Sequence, residues 1–344
     1  MSSSLIEQIP TSFASCSIGY DPSHTLPRKL DAIHKAGFRA IELSFPDLRS
    51  FSNEYLKRDV PEDGYNALCE AGKRVKELCA ERSLGILMLQ PFANFEGWPA
   101  GSEERKDAFK RAKGWIRIMQ AVGTNMLQVG STDSDYIDTS QERIIEDLQQ
   151  LADMLAAHNF RLAYENWCWS THAPTWRAVW DIVRKVNRPN VGLCLDTFQT
   201  AGSEWADPTT ASGLIEDVPR DVLKLRFRAS LEDLAREVPP EKIYLLQISD
   251  AYKPVEPISK VFDKEQGLRP RGVWSHDFRP VPFDGGYLPV VDVAKAVLRT
   301  GFRGYFSVEV FDSGDAGAGK EYDLDAFARQ AMYSHRKLLE ACET

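Results

Sequence analysis

Four polar residues stand at the ends of four short apolar runs of the sequence. They are Glu165, Asp196, Gln247 and Glu309. Runs of this kind are typical of strands that are buried on both faces of a parallel sheet. A carboxylate placed there costs several kcal/mol of desolvation free energy unless a positive group meets it.

These four side chains could meet that requirement together, by binding one metal ion. Three carboxylates and an amide oxygen that converge on one point suit a divalent cation with oxygen ligands. An oxygen-only ligand set favours Mn²⁺ or Mg²⁺ over Zn²⁺. The alternative for any single acid is a salt bridge with a buried Lys or Arg. The four residues together predict a metal-dependent enzyme.

The elements that would position these residues alternate regularly along the chain. The predicted strands cover residues 13–19, 38–44, 84–89, 125–129, 161–165, 191–196, 243–247 and 305–309. The predicted helices cover residues 26–36, 60–83, 103–121, 141–158, 175–186, 221–237, 288–298 and 323–340. Strict alternation predicts a parallel sheet, and eight such units in 344 residues fit one (β/α)₈ barrel domain, residues 1–344. The alternative, an open doubly wound sheet that binds a dinucleotide, lacks its G-x-G-x-x-G fingerprint.

The longest irregular region, residues 249–287, follows the seventh predicted strand. Loops of this length inside a compact domain are usually functional or disordered. Its cations and aromatic residues favour a loop that covers the active site. Arg279, Arg271 and Lys253 are candidates to bind a substrate carboxylate, because cationic side chains form strong hydrogen bonds to such groups. The alternative for each one is a solvated loop charge.

Other residues near the strand ends are further candidates for the pocket. Gln90 ends the third strand and is predicted to line it, and Trp167 is predicted to form an apolar wall. Gln199 is expected either to reach a ligand or to cap the local backbone. His172 and His276 are candidate acid–base groups because the intrinsic pKa of histidine is near neutrality; ordinary hydrogen bonding is the alternative for both.

The composition limits the classes of function. Hydrophobic residues make up 43% and charged residues 27%, and the net charge is −8. An acidic chain is not expected to bind nucleic acid or an anionic membrane, and no apolar stretch is long enough for a membrane span. Six scattered cysteines without a C-x-x-C pair and no secretory leader predict a reduced, cytoplasmic, soluble protein. A homo-oligomer is left open.

Several local motifs carry a resemblance to a known family. They are Leu89-Gln90-Pro91-Phe92, Tyr164-Glu165, Cys168-Trp169-Ser170-Thr171, Cys194-Leu195-Asp196-Thr197-Phe198 and Ala206-Asp207-Pro208-Thr209. In these residues the chain resembles the xylose-isomerase-like TIM-barrel superfamily, and within it the fungal 3-dehydroshikimate dehydratases. The likeness extends over nearly the whole chain. Bacterial members tend to have His three residues after the aspartate, where this chain has Gln199, so a catalytic role of that His is not transferred.

The resemblance implies a metal held by Glu165, Asp196, Gln247 and Glu309, and a small polar keto acid as substrate. The implied reaction converts 3-dehydroshikimate to protocatechuate and water through an enolate. Glu165 or Glu309 is the first choice for the base, and His172 or His276 the second. The main alternative is a metal-dependent isomerase or epimerase of a sugar or keto-polyol. A barrel that binds a ligand without catalysis is a further alternative.

Overall fold

Eight parallel strands close into a barrel in the computed structural model, which describes residues 4–343. The barrel strands are β1 (Thr11–Ala14), β2 (Ala40–Ser44), β3 (Gly85–Phe92), β4 (Met126–Gly130), β5 (Arg161–Glu165), β6 (Val191–Asp196), β7 (Ile243–Ile248) and β9 (Phe306–Val308). Each strand pairs with its neighbour along the barrel, and β9 pairs with both β7 and β1. A separate antiparallel ribbon joins β8 (Phe278–Arg279) to β10 (Phe311–Asp312). The predicted (β/α)₈ barrel is confirmed.

Helices surround the barrel and pack their apolar stripes against it. Within residues 4–343 they are α1 (Leu5–Gln8), α2 (Leu26–Lys35), α3 (Phe45–Leu56), α4 (Tyr65–Glu81), α5 (Glu103–Val122), α6 (Gln141–Ala156), α7 (Trp176–Val186), α8 (Thr197–Glu204), α9 (Arg220–Glu237), α10 (Pro270–Asp277), α11 (Val290–Arg299) and α12 (Leu324–Glu343). In α6, Ile144, Leu148, Leu151 and Leu155 are all buried, as their spacing of three and four residues requires.

Several boundaries and elements differ from the predictions. The first strand ends at Ala14, because residues 15–17 turn into a short 3₁₀ helix. The helix predicted over residues 60–83 begins only at Tyr65, after Gly64, and α3 precedes it as a separate helix. The helix α8 was not predicted; it begins directly after β6, with Asp196 as its N-cap.

The barrel interior consists of two layers, because alternate residues of a strand point inward. The lower layer is apolar and contains Met88, Met126, Ala163, Cys194 and Leu245. The residue two positions later on each of these strands is polar: Gln90, Gln128, Glu165, Asp196 and Gln247. The apolar layer therefore closes the barrel beneath a polar layer at the carboxyl ends of the strands, where active sites of such barrels lie.

The region between β7 and α11 is more ordered than the irregular loop predicted for residues 249–287. It contains α10 and β8. In the ribbon, Phe311 of β10 is opposite Arg279 of β8. Because β10 follows β9 after only two residues, this pairing brings Arg279 to the end of the last barrel strand.

Candidate metal centre

Three carboxylates meet at the carboxyl end of the barrel. Glu165, Asp196 and Glu309 offer carboxylate oxygens that all lie within 4.8 Å of one another, and all three residues are buried. Glu165 and Asp196 are the last residues of β5 and β6, and Glu309 follows β9 directly. We call these three residues the acidic trio. Sequence reasoning predicted that they converge, and the structure brings them together.

Gln247 of β7 also lies at this centre. Its Nε2 atom donates to Glu309 Oε1 at 2.9 Å and to Glu42 Oε2 at 2.8 Å. Its Oε1 atom accepts from the Cys194 thiol at 3.2 Å. A half-turn of the amide would exchange the oxygen and the nitrogen, because the two have the same reach. Gln247 can thus present a ligand oxygen to the trio.

Two more side chains border the trio. Gln90 of β3 donates through Nε2 to Glu309 Oε1 at 3.1 Å. Glu42 of β2 is fully buried, and its Oε2 accepts from Gln247. Its position shows that the centre contains a fourth carboxylate, on β2.

The two oxygens of Glu165 have different surroundings. Glu165 Oε2 accepts hydrogen bonds from Gln128 Nε2 and, at 3.3 Å, from Trp167 Nε1. Glu165 Oε1 is buried and has no hydrogen-bond partner among residues 4–343. A buried carboxylate oxygen without a partner is costly, and a divalent cation between the trio would supply one. The residues present therefore fit an oxygen-ligated cation.

The electrostatics of the trio lead to the same conclusion. Burial, together with the charges of Glu309 and Asp196, raises the pKa of Glu165 well above its ordinary value. Burial also raises the pKa of Asp196, although Arg279 opposes the shift. The pKa of Glu309 rises to about 8, mainly through burial, with Arg279 opposing and Glu42 reinforcing the shift. A divalent cation would stabilise the ionised form of these carboxylates more than a single guanidinium does.

Arg279 partly compensates the trio. Its Nη2 atom lies 2.5 Å from Asp196 Oδ2 and 3.1 Å from Glu309 Oε2, and it also donates to the Glu309 carbonyl. Its Nε atom donates to Ser249 Oγ at 3.0 Å. The guanidinium lies 4.6 Å from the ring centre of Phe198. Arg279 is 1% exposed, so most of its donors are directed at the protein.

Trp167 and Gln199 shape the side of the centre next to β5. The ring of Trp167 stacks on Trp169 at 5.1 Å. It lies over Gly130, where a Cβ atom would come within 2.1 Å of the ring, so only glycine fits at the end of β4. Gln199 is buried, and its Oε1 accepts the backbone N–H of Cys168 at 2.9 Å. Gln199 therefore holds the loop that carries the two tryptophans.

His172 is not brought to the acidic trio. Its Nε2 atom is 2.9 Å from Glu96 Oε1, which also accepts from the Tyr164 hydroxyl and from the backbone N–H of Thr132. Tyr164 precedes Glu165 on β5, so its side chain points to the opposite face of the strand. His172 thus pairs with a buried carboxylate outside the barrel interior.

The remaining predicted residues lie further out. Arg271 binds the carbonyl oxygens of Gly202 and Ala206, at 2.8 and 3.1 Å, and so fastens α10 to α8 instead of facing the trio. Lys253 is exposed and, within the described part of the chain, forms no hydrogen bond or ion pair that would direct it to the centre. His276 is exposed at the end of α10, between the rings of Trp169 and Phe311.

Comparison with known proteins agrees with this fold. The chain matches the xylose isomerase-like TIM barrel family over residues 30–330. It belongs to this family. Among curated proteins it is similar to the 3-dehydroshikimate dehydratase of Neurospora crassa, with 33% identity over 92% of this chain and 89% of the relative. The 3-dehydroshikimate dehydratase of Pseudomonas aeruginosa is 30% identical over 92% of this chain but over only 41% of its own length.

A solved structure supports the fold. A xylose isomerase-like TIM barrel/4-hydroxyphenylpyruvate dioxygenase fusion protein superposes with a TM-score of 0.70 and 24% identity, over 96% of this chain and 42% of that chain. Within residues 4–343 no helix has the length and apolar character needed to span a bilayer.

Proposed function

We propose that this protein is a cation-dependent hydro-lyase that converts 3-dehydroshikimate to protocatechuate and water. The observation that carries the proposal is the buried acidic trio at the carboxyl end of the barrel, with one carboxylate oxygen left without a partner. The names and coverage of the curated relatives support the choice of substrate.

The cation would be held by Glu165, Asp196, Glu309 and the amide oxygen of Gln247. This set contains only oxygen ligands, which favours Mn²⁺ or Mg²⁺. When bound, the cation acts as a Lewis acid that polarises the substrate ketone. Arg279 keeps Asp196 and Glu309 in position by hydrogen bonds to both.

The side chains around the trio would orient the substrate and exclude water. Gln90 would offer a polar contact beside Glu309, Gln199 would hold the loop that carries Trp167, and Arg279 would offer a positive charge to the substrate carboxylate. The face of Trp167 offers an apolar wall to a flat six-membered ring. The segment 249–287, which contributes Arg279 and α10, would cover the substrate. Arg271 would hold this segment against α8 through hydrogen bonds, and Lys253 would lie on its outer surface.

The proposed reaction is an elimination of water from the substrate. A base removes the proton from the carbon next to the ketone, and the electron pair of that C–H bond forms a C=C bond as the neighbouring C–O bond breaks. The departing hydroxyl leaves as water after gaining a proton. A ring proton then moves to the ketone oxygen, which gives the aromatic catechol acid.

A direct assay tests the proposal. The protein is loaded with Mn²⁺ or Mg²⁺ and incubated with 3-dehydroshikimate, while the ultraviolet absorbance of protocatechuate is followed. We expect product from the wild type and from Glu340→Gln, an exposed control on α12, but not from Asp196→Asn or after chelation. No product from wild-type protein with a bound cation would overturn the proposal. Turnover of a keto-polyol without loss of water would favour the isomerase alternative.

A further inference from the structure

The elimination needs a proton acceptor, and most polar groups of the centre are already committed. The oxygens of the acidic trio bind Gln128, Trp167, Gln247 and Arg279, and their remaining capacity serves the cation. Gln199 is an amide and has no basic site for a proton. With the trio serving the cation, another side chain at the mouth of the barrel is the better candidate for the acceptor.

Two other ionisable candidates are excluded by position. His172 pairs with Glu96 on the outer face of β5, away from the trio. Glu42 lies deep in the barrel, is fully buried, and is covered by the amides of Gln247 and Gln90. A substrate that rests on the cation would meet the trio before it reached Glu42.

His276 belongs to a closed circuit of contacts that begins and ends at the acidic trio. On one side, Trp167 bonds to Glu165 and stacks on Trp169, whose ring lies 6.2 Å from the ring of His276. On the other side, His276 stacks on Phe311 at 6.1 Å, and the guanidinium of Arg279 lies 5.3 Å from the Phe311 ring. We call these five side chains the mouth ring. His276 is the one imidazole in it.

The orientation of the imidazole suits a proton acceptor. His276 Nδ1 is 2.7 Å from the carbonyl oxygen of Gly272, one turn earlier in α10. A carbonyl oxygen only accepts, so Nδ1 carries the hydrogen and the neutral ring has its lone pair on Nε2. A histidine base in other enzymes is held in the same way, with one nitrogen pinned by an acceptor and the other left for the proton.

We propose that His276 Nε2 is the base that removes the proton next to the ketone. The assignment rests on the proposed dehydratase function. The C–H bond breaks and an N–H bond forms at Nε2, while the electron pair of the C–H bond forms the new C=C bond as the hydroxyl leaves. The imidazolium then gives its proton to that hydroxyl, which departs as water. No oxidant, reductant or further reactant is required.

Charged groups lie near His276 on the elements packed against it. Asp277 follows it on α10, Arg279 faces it across Phe311, and the loops that hold Trp169 bring two more charges. These two are Asp133, which accepts from the Trp169 indole at 3.0 Å, and Arg269, which donates to the Trp169 carbonyl at 2.8 Å. The strand β10 adds Asp312, which follows Phe311 and accepts from Lys320 Nζ at 2.6 Å, and Arg269 is itself paired with Asp135.

The test compares His276→Asn with His34→Asn, a matched change at an exposed histidine on α2. Both are assayed as the cation-loaded protein with 3-dehydroshikimate. We expect His276→Asn to lower kcat by about 100- to 10,000-fold, the usual contribution of a general base, with KM changed less than about threefold. The acidic limb of the kcat/KM profile should disappear, and added imidazole should restore part of kcat. His34→Asn should match the wild type.

The possible results distinguish a wrong assignment of the base from a wrong assignment of the function. If the wild type forms protocatechuate and His276→Asn retains kcat within about threefold with the same acidic limb, His276 is not the base although the function stands. If the wild type forms no product with its cation bound, both proposals fall. Unchanged cation binding and tryptophan fluorescence of His276→Asn will show that the fold and the mouth ring persist.

Discussion

Two buried carboxylates on either side of strand β5 have opposite electrostatic surroundings. Glu96 lies against the outer face, where Tyr164, Thr132 and His172 all donate to its Oε1 atom. Burial opposes its ionisation, but the hydrogen bond and charge of His172 and the Thr132 N–H hold the pKa of Glu96 below its ordinary value. Glu165, on the inner face, has two uncharged donors and a raised pKa.

The difference distinguishes Glu96, a carboxylate with a structural role, from Glu165, a carboxylate that can bind a ligand. The protein itself supplies Glu96 with a potential cation. Around Glu165 it places two more acids, one guanidinium and two neutral donors, so no cation is dedicated to this carboxylate. A buried charge that the fold does not neutralise is a good indicator of a functional site.

Among the changes that test this contrast, the largest effect is expected from Glu165→Gln. Loss of one trio carboxylate should lower kcat/KM by about 1,000-fold, or about 4 kcal/mol, because the cation loses a charged ligand. The cation-free variant should be no less stable than the wild type, since the mutation also removes repulsion within the trio. Steady-state kinetics and denaturant melts in chelator measure the two effects. A strong loss of stability in chelator would contradict this contrast.

Glu96→Gln should behave in the opposite way. It removes the charged partner of His172 inside the protein, which is expected to lower the free energy of unfolding by about 2 to 3 kcal/mol. The bound cation should remain at one per chain. Denaturant titration and metal analysis of the same sample test both parts. A variant that is fully stable but has lost the cation would contradict the structural role of Glu96.

The stability of the cation-free protein should depend on pH. In the folded state the pKa of Glu309 is about 8 and that of Glu42 about 7, both raised mainly by burial. The folded protein therefore binds more protons than the unfolded chain between about pH 4.5 and 8, where unfolded glutamates are ionised. Its stability should fall as the pH rises through this range.

Cation binding should flatten that dependence, because the bound ion favours the ionised carboxylates. Thermal melts between pH 5 and 8, with chelator and with Mn²⁺, test this. A chelated protein that gains stability as the pH rises to 8 would show that the trio is compensated without a cation.

The smallest effect is expected from Trp167→Phe. The change removes the indole N–H that bonds to Glu165 Oε2 but keeps an aromatic ring. Groups that orient a metal ligand typically contribute 10- to 100-fold to the affinity for the metal. We expect Trp167→Phe to weaken cation binding by about 10-fold, because Gln128 still donates to the same oxygen. Trp169→Phe is the control, because its indole bonds to Asp133 and not to the trio. Equal losses in both variants would assign the effect to packing.

Much of the fold and the trio could be predicted because both follow from the period of two along buried strands. The same rule also applies to Gln128, which was missed, and to Glu42, which was not assigned to the metal centre. Gln128 and Glu42 occupy inward positions near the ends of β4 and β2, just as Glu165 and Gln247 do on their strands. Extending the pattern from four strands to all eight would have identified them.

Other features depend on partners that are distant in sequence. His172 is held by Glu96, which lies 76 residues earlier, and Arg271 by carbonyls of α8 that no side-chain pattern marks. The short helix α10 has only eight residues and begins at a proline, so it was hidden in an apparently irregular loop. Asp196 also serves as the N-cap of α8, accepting from Phe198 and Gln199, a second role that its place at a strand end concealed.

The most direct test of the metal centre is the binding of Mn²⁺ to wild-type protein from which a chelator has removed the metal. Binding is measured by calorimetry, and elemental analysis then gives the metal content of the reloaded protein. We expect one tightly bound ion per chain, and at least a 100-fold weaker affinity in Asp196→Asn. A wild type that binds no ion, or a variant that binds it as tightly as the wild type, would contradict the claim that the trio is a metal site.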